Sequence, residues 1–466
     1  MLEENRKTWW LYSTIFLFVF VHLLYMNTPF VNFEWVYKVG TNYFLSHDIA
    51  LQKEFFFHQA NPITYSFVSS FFVYLFGDSY INYRIAALIG GTLILISLSK
   101  EKNIFLILMV ALNPIFWIYS GRAYAELLSV GLMFLALDIN GKGYLRGVLG
   151  GFAAAVKYHS FLFTGPYWGL KWLQSAWFKK SLNLKDFNFI ALVTSIIVFI
   201  GFLLVNLGFY DIWVIPDKFK TTYSVNPSLN LSGFINNFFG YGFYISALFF
   251  ITIPYVIKHS KLKSHLIAIF LSLALAFWNQ DTGEMNFGLL DSLLGTEFIL
   301  LIKVIGFWNF LLCLELFWKN KKSRLIVSTI LIFLLILSST RPAQRYLLYI
   351  IPFWALLIVY SKVHLHAFYR WGYILTISVL TLFSTLYQVS TANASKEVIS
   401  WSQNKNMQID TYEIYAHVGD AENHTVDSDF IVVLNKGQNQ EELHKVPVKI
   451  MGFTLTEYIV VRKNEK

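Results

Sequence analysis

The stretch FVNFEWVYKVGTNYFLSHDIALQKEFFFHQANP, residues 30–62, places Glu34, Asp48, Glu54, Lys38, Lys53, His47 and His58 among aromatics, between two apolar runs. A carboxylate within hydrogen-bond reach of a hydroxyl can act as a general base. Lysines and arginines can hold an anionic leaving group, Arg as a planar fork and Lys as a point charge. Further along the chain the same residue types recur at the ends of apolar runs. They are Arg122 and Glu126 in SGRAYAE, Lys157 and His159 in KYHS, Asp281, Glu284 and Asp291, and Arg341 and Arg345 in RPAQRY. Charge at membrane depth costs roughly 2.5–3.5 kcal/mol per residue on insertion scales, so an apolar chain keeps little of it without a use.

Each of these residues also has a plainer reading. A lone Arg at a helix end can be a snorkelling anchor. Lys157 and His159 can cap a short helical hairpin, and Glu34, Asp48 and Glu54 can be solvated loop charges. Phe55, Phe56 and Phe57 read more simply as interfacial packing than as a sugar platform. Together the charged residues form a group, but residue types alone do not name a reaction.

The elements that must position them are membrane helices. The 466 residues are 56% hydrophobic, 18% aromatic and 14% charged, whereas a soluble domain carries about 25% charged residues. Apolar runs near the ~20 residues that cross a bilayer recur throughout. We expect thirteen spanning helices, near 10–27, 84–99, 103–119, 124–139, 147–157, 160–173, 189–207, 238–258, 264–279, 297–318, 324–339, 346–361 and 371–388. The fifth and sixth form a short pair hinged at KYHS. The first run lacks a small-residue cleavage site and reads as a retained helix. Residues 62–77 read as a re-entrant or interfacial helix on charge grounds. With the N-terminus inside, 19 of the 37 Lys and Arg fall on the cytoplasmic side, as the positive-inside rule requires. A full crossing at 62–77 would reverse every later loop.

The spans make residues 1–388 a transmembrane domain, with 28–83 an external loop carrying juxtamembrane helices. Residues 389–466 read as a soluble α/β module on the outer face. In it EVISWSQNKN is expected as a short helix, and TYEIYAH, DFIVVLNKG, VPVKIMG and YIVVRK as strands. The single cysteine, Cys313, excludes an intrachain disulfide and leaves the redox compartment open.

FEWVYKVG, FFFHQANP, FVYLFGDSYINYR, NPIFWIYSGRAYAELLSV, GFAAAVKYHSFLF and RPAQRYLLYIIPF follow one another in order over residues 10 to about 360. In order and spacing they resemble the polyprenyl-phosphate-dependent glycosyltransferases of the GT-C class. The likeness is greatest to the protein O-mannosyltransferases and the lipid A aminoarabinose transferases. That resemblance implies a GT-C fold and a single inverting transfer of a sugar from a dolichyl- or undecaprenyl-phosphate donor. The acceptor would be a glycan, lipid or protein on the extracytoplasmic face. It also implies Glu34 as general base, with Asp48 the fallback, because Glu34 falls where the family has the Asp of an Asp-Glu pair and Trp35 follows it. Arg345, Lys157 and Arg122 would hold the donor phosphate. His58, Tyr37, Glu126, His159 and Tyr346 would line the substrate site, with HQANP standing for a looser HPP.

No DxD pair occurs in the first loop, and DTGEMNFGLLD lacks a metal spacing, so no metal and no cofactor is expected. The absence of a Walker loop or dinucleotide fingerprint makes a nucleotide-driven pump or dehydrogenase a poor fit. No nucleic-acid partner is expected; the partners are the lipid-linked sugar, its acceptor and the bilayer. A prokaryotic plasma membrane is the expected location, with the endoplasmic reticulum the alternative. The competing classes are a non-catalytic glycan-assembly subunit, which the missing Asp-Glu pair would fit, and a lipid or solute transporter. A transporter often shows inverted repeats, and none is apparent.

The charge distribution gives a direct test. Reporters fused after Ser390 should be active only on the extracytoplasmic side; activity confined to the cytoplasm would reject the odd number of crossings.

Overall fold

In the computed structural model the described residues are 2–30, 34–57, 63–138, 142–179, 183–213, 231–278, 289–339, 343–361, 366–407, 409–410, 429–434 and 442–462. Helices dominate them. The chain enters through α1 (Leu2–Tyr25), and the first loop folds into α2 (Glu34–Ser46), α3 (Ile49–Phe57) and α4 (Ile63–Phe76). α4 is 14 residues long, one of several apolar helices shorter than the ~20 residues of a full span.

There follow α5 (Tyr80–Ser99), α6 (Ile104–Ala111), α7 (Pro114–Ser120), α8 (Ala125–Asp138), α9 (Gly143–Val156), α10 (His159–Lys179) and α11 (Phe187–Tyr210). The single helix expected over 103–119 is two. Pro114 cannot donate to the preceding turn, and Asn113 caps the new helix by accepting from Ile115 N and Phe116 N. After them come α12 (Leu231–Leu248), a 3-10 turn at Phe250–Thr252, α13 (Ile253–His259), α14 (Leu262–Trp278), α15 (Leu289–Lys319) and α16 (Lys321–Ser338). A second 3-10 turn, Gln344–Tyr349, leads into α17 (Ile351–Tyr360), and α18 (Ala367–Asn404) closes the helical part.

Among the described residues, four helices are long and apolar enough to cross a membrane. Counting the bent pairs α7–α8 (105°) and α12–13 (75°) as single spans brings this to six. Large apolar side chains such as Ile197, Leu204, Phe270, Phe277 and Leu375 face outward, as lipid-contacting surfaces do. The protein is an integral membrane protein.

The last helix differs from expectation. A spanning helix at 371–388 and a separate short one over EVISWSQNKN are one continuous α18 of 38 residues. No Gly or Pro lies between Tyr373 and Asn404, so nothing in YQVSTANASK interrupts the hydrogen-bond ladder. Its C-terminal third carries a four-stranded sheet of order β1-β2-β4-β3: β1 (Ile409–Asp410), β2 (Phe430–Leu434), β3 (Glu442–Ile450) and β4 (Phe453–Arg462). β1 and β2 are parallel and the other pairs antiparallel. Val446, Val448 and Ile450 alternate inward along β3, and the first two join Ala394, Val398, Tyr458 and Val460 in one small core. The expected strand TYEIYAH lies outside the described residues.

The closest helix approach that frames the site is α5 on α8. A Cβ added at Gly90 would fall 2.2 Å from the Leu127 carbonyl oxygen, and one at Gly131 would fall 2.5 Å from the Gly90 carbonyl oxygen. Small residues allow such backbone contact between membrane helices. Gly90→Leu should therefore lower stability by about 1–3 kcal/mol, the usual scale of overpacking. Gly169→Ala in α10, with nothing near the added methyl, should be neutral or stabilising. Thermal unfolding in detergent, followed by size exclusion, reads both; equal midpoints for the two variants would refute this account of the crossing.

Candidate functional site

Two groups of buried charge lie under the first loop, and breaks in helices position both. The first is Glu34 with Arg84. Glu34 opens α2 and has no exposed surface. Its Oε1 accepts from Arg84 Nε at 2.8 Å and its Oε2 from Arg84 Nη2 at 2.9 Å. Oε1 also accepts from the Ala123 backbone N–H at 2.7 Å. The rest of the guanidinium meets the chain leaving α1: Nη1 donates to the carbonyls of Met26 (2.6 Å) and Thr28 (2.8 Å), and Nη2 to that of Pro29 (3.1 Å). One pair therefore ties α1's exit, α2, α5 and the turn before α8 together.

The second group is Glu126 with Lys157 and Arg345. The 105° bend between α7 and α8 sets Arg122, Ala123 and Tyr124 in a non-helical turn and puts Glu126 in the first turn of α8. Lys157 occupies the break between α9 and α10 with extended backbone (φ −157°, ψ 116°). Arg345 belongs to the 3-10 turn ahead of α17, where Pro352 is near the helix start. Glu126 Oε1 lies 3.1 Å from Arg345 Nε and 3.5 Å from Lys157 Nζ. Irregular backbone at membrane depth is tolerated where it is buried in protein or lines a cavity. Three such irregularities meet here. The Glu126 and Lys157 side chains are almost wholly buried, whereas Arg345 keeps 28% of its surface. It is the accessible side of the group.

Aromatic rings surround both. Tyr37, one turn after Glu34, packs edge-on against Tyr65 (4.8 Å) and Tyr124 (6.0 Å). Tyr65 and Tyr124 are within electrostatic reach of both charge groups. Burial first, and then the nearby Glu126 carboxylate, push the Tyr37 phenol well above its ordinary range, so it stays a neutral hydrogen-bond donor. The His159 ring stacks between Tyr158 (4.4 Å) and Tyr346 (4.2 Å). Its Nδ1 is buried and has no hydrogen-bond partner among the described residues. Arg345 lies over the Tyr346 ring, 5.4 Å from its centroid, a cation–π geometry.

Arg122 stands to one side, 5.8 Å from the Tyr119 centroid. Its guanidinium meets the side-chain amide of Gln388 in α18, whose oxygen is the group able to accept. The site and the C-terminal sheet are therefore at the same end of α18.

The structure thus brings Glu34, Tyr37, Arg122, Glu126, Lys157, His159, Arg345 and Tyr346 into one region. Asp48 is elsewhere: exposed, it caps α3 by accepting from Leu51 N at 3.0 Å. His58, Asp281, Glu284 and Arg341 lie outside the described residues. Sequence reasoning gave Arg84 no role, although the residue ends the quoted FVYLFGDSYINYR; its 50-residue separation from Glu34 follows no local periodicity.

No protein-family model and no curated protein sequence matches this chain. Two solved structures are similar to it. One is the crystal structure of ArnT from Cupriavidus metallidurans in the apo state, with TM-score 0.42 and 12% identity, covering 82% of this chain and 69% of that one. The other is the same protein bound to undecaprenyl phosphate, with TM-score 0.39 and 12% identity, covering 97% and 98%.

The Glu34–Arg84 pair gives this subsection's prediction. Removing one partner of a buried pair costs roughly 3–5 kcal/mol, because the other charge is left uncompensated. Arg84→Met should lower the unfolding midpoint sharply, and adding Glu34→Gln to it should recover part of the loss. A double variant less stable than Arg84→Met alone would show that the pair is not the clamp described.

Proposed function

We propose that the protein is an integral-membrane glycosyltransferase that moves a sugar from a polyprenyl-phosphate donor to an acceptor hydroxyl by one inverting displacement. The observation that carries the reading is the meeting of Lys157 and Arg345 on a buried carboxylate, with Arg345 open on one side. Fixed cations in a water-poor site stabilise charge that develops on a leaving group. Two carboxylates, Glu34 and Glu126, stand against four cations, Arg84, Arg122, Lys157 and Arg345. A phosphate that gains charge as the glycosidic bond breaks would complete that balance without a metal ion.

The donor phosphate docks on Arg345 and Lys157, replacing part of the contact with Glu126. Glu126 then keeps the two cations in place rather than taking a proton. A group 3.1 Å from the phosphate-binding Arg345 is on the leaving-group side, and inversion requires the base on the opposite face of the sugar. Glu34 is the carboxylate beyond the Tyr37, Tyr65 and Tyr124 rings. To act as base it must exchange one Arg84 or backbone contact for the acceptor hydroxyl, a swap of one charge-assisted hydrogen bond for another. Tyr37, His159 and Tyr346 supply donors and ring faces to the sugar.

The isoprenoid chain has apolar surface to lie on. A shallow, mostly apolar cleft lined by Phe239, Gly240, Phe243, Leu275, Lys303 and Phe307 opens between α12, α14 and α15. Its Gly240 is followed in the chain by Tyr241, whose hydroxyl accepts from Ala343 N, two residues before Arg345. In this reading thirteen helices cross the membrane, residues 389–466 form an extracytoplasmic module, and the membrane is a prokaryotic plasma membrane.

A transfer assay with radiolabelled polyprenyl-phosphate sugars tests the proposal. Arg345→Gln and Lys157→Gln should each lose about 10- to 150-fold, the worth of one charge-assisted hydrogen bond. The folded double variant Glu34→Gln/Arg84→Met should bind donor and lose about 10²–10⁴-fold in transfer, the scale of general-base catalysis. Asp48→Asn should be mild, since Asn caps a helix as well as Asp. Wild-type turnover in both cation variants would reject the phosphate site. A dead Asp48→Asn beside a fully active double variant would move the base to Asp48.

A further inference from the structure

The β3–β4 hairpin ends in a two-residue turn, Met451 and Gly452, both at positive φ (49° and 86°), closed by pairing of Ile450 with Phe453. Such turns suit the twist of a tight hairpin. Their side chains are another matter: Met451 is 79% exposed and Phe453 75%, at the tip of a hairpin whose Val446, Val448 and Val460 are packed inward.

The direction of the hairpin explains where these side chains go. β3 runs antiparallel to α18. The His444 ring stacks flat on Trp401 at 4.5 Å, and five residues later the Lys449 carbonyl accepts from Ser390 Oγ at 2.7 Å. Five strand residues and eleven helical residues both span about 16 Å, so strand and helix descend together. The turn therefore lies past Ser390, toward the membrane-spanning part of α18.

The depth of that point can be counted. Arg370 is followed by no charged residue until Lys396. About 20 helical residues cross the hydrocarbon core, which puts its far boundary near residue 390. Leu375, Val379 and Leu382 on this stretch are exposed as lipid-facing residues are. A tip that projects beyond Ser390 thus reaches the boundary between headgroups and acyl chains. Large apolar and aromatic side chains favour that boundary, and the exposed Lys449 beside them can meet lipid phosphates.

We propose that Met451 and Phe453 form a second membrane contact, which seats the C-terminal module on the outer leaflet of the bilayer that α18 crosses. The module would then be held at two points, the rigid helix and the hairpin tip, and could not swing about α18. The inference needs the membrane position of α18 and nothing about sugar transfer.

The test is nitroxide depth measurement in full-length protein reconstituted into phosphatidylcholine–phosphatidylglycerol vesicles. Cys313→Ala removes the one native thiol, and Phe453→Cys or, independently, Met451→Cys then carries the label. Leu382→Cys serves as the lipid reference and Lys405→Cys, at the far end of α18, as the aqueous one. Collisions with oxygen relative to a water-soluble nickel chelate should be higher at both tip positions than at Lys405→Cys, approaching the value at Leu382→Cys. A ratio equal to that at Lys405→Cys would overturn the proposal. So would a label immobilised and shielded from both reagents, which would mean that protein rather than lipid covers the tip.

Discussion

A carboxylate with no exposed surface keeps its charge in an apolar fold only when a cation and further donors surround it. Glu34 meets that condition through Arg84 and the Ala123 N–H, and the arrangement of the first loop follows from it. Arg84 can reach Glu34 only if α5 starts beneath α2. The remaining guanidinium hydrogens then fall on the Met26, Thr28 and Pro29 carbonyls, backbone acceptors that the end of α1 would otherwise leave without partners. The Ala123 contact fixes the turn before α8, and Glu126 is three residues on. One ion pair thereby sets the distance between the loop and the second charge group.

The second group shows how a helical membrane protein makes room for polar chemistry. Glu126, Lys157 and Arg345 all sit where a helix starts, stops or tightens into a 3-10 turn. A continuous helix consumes its own backbone hydrogen bonds and offers only side chains. A break offers free backbone groups and turns a side chain along a new direction. The non-helical turn at Arg122–Tyr124, the extended Lys157 and Pro352 create those breaks from local sequence. They meet because α8, α9 and the segment before α17 pack together, as the Tyr349 hydroxyl on Ser129 Oγ (3.1 Å) and Ser129 Oγ on the Ala153 carbonyl (2.8 Å) record.

Much of this was legible in the sequence because charge is rare in so apolar a chain. Arg122, Glu126, Lys157 and Arg345 stand out against their runs, and they do converge. The hinge at KYHS was readable from the charged pair that interrupts two apolar runs, and Lys157 does stand at a helix break. What could not be read was partnership over distance. Glu34 and Arg84 are 50 residues apart, and only the folded α2–α5 contact reveals that the acidic residue of the loop is a clamp as well as a candidate base. The continuity of α18 was missed for a different reason. Its small polar run, STANAS, lacks an apolar stripe that would signal a helix, yet Ala394 and Ser395 are buried, Ala394 in the core shared with the sheet.

That continuity joins the two ends of the molecule's chemistry. Gln388 of α18 faces Arg122, one residue from the N–H that holds Glu34, and Ser390, half a turn on, binds the hairpin strand. A helix with an unbroken ladder transmits rotation and translation along its axis rather than absorbing them in a hinge. The position of the module on the membrane and the position of Arg122 at the site are therefore set by one rigid body. In the proposed reaction, an acceptor that touched the module would be presented to the site at a fixed height above the bilayer. A lipid-linked donor would enter at a height fixed by its own membrane anchor. Both substrates of the proposed reaction would then be measured from the same surface, which is how a site with few polar contacts can bring them into register.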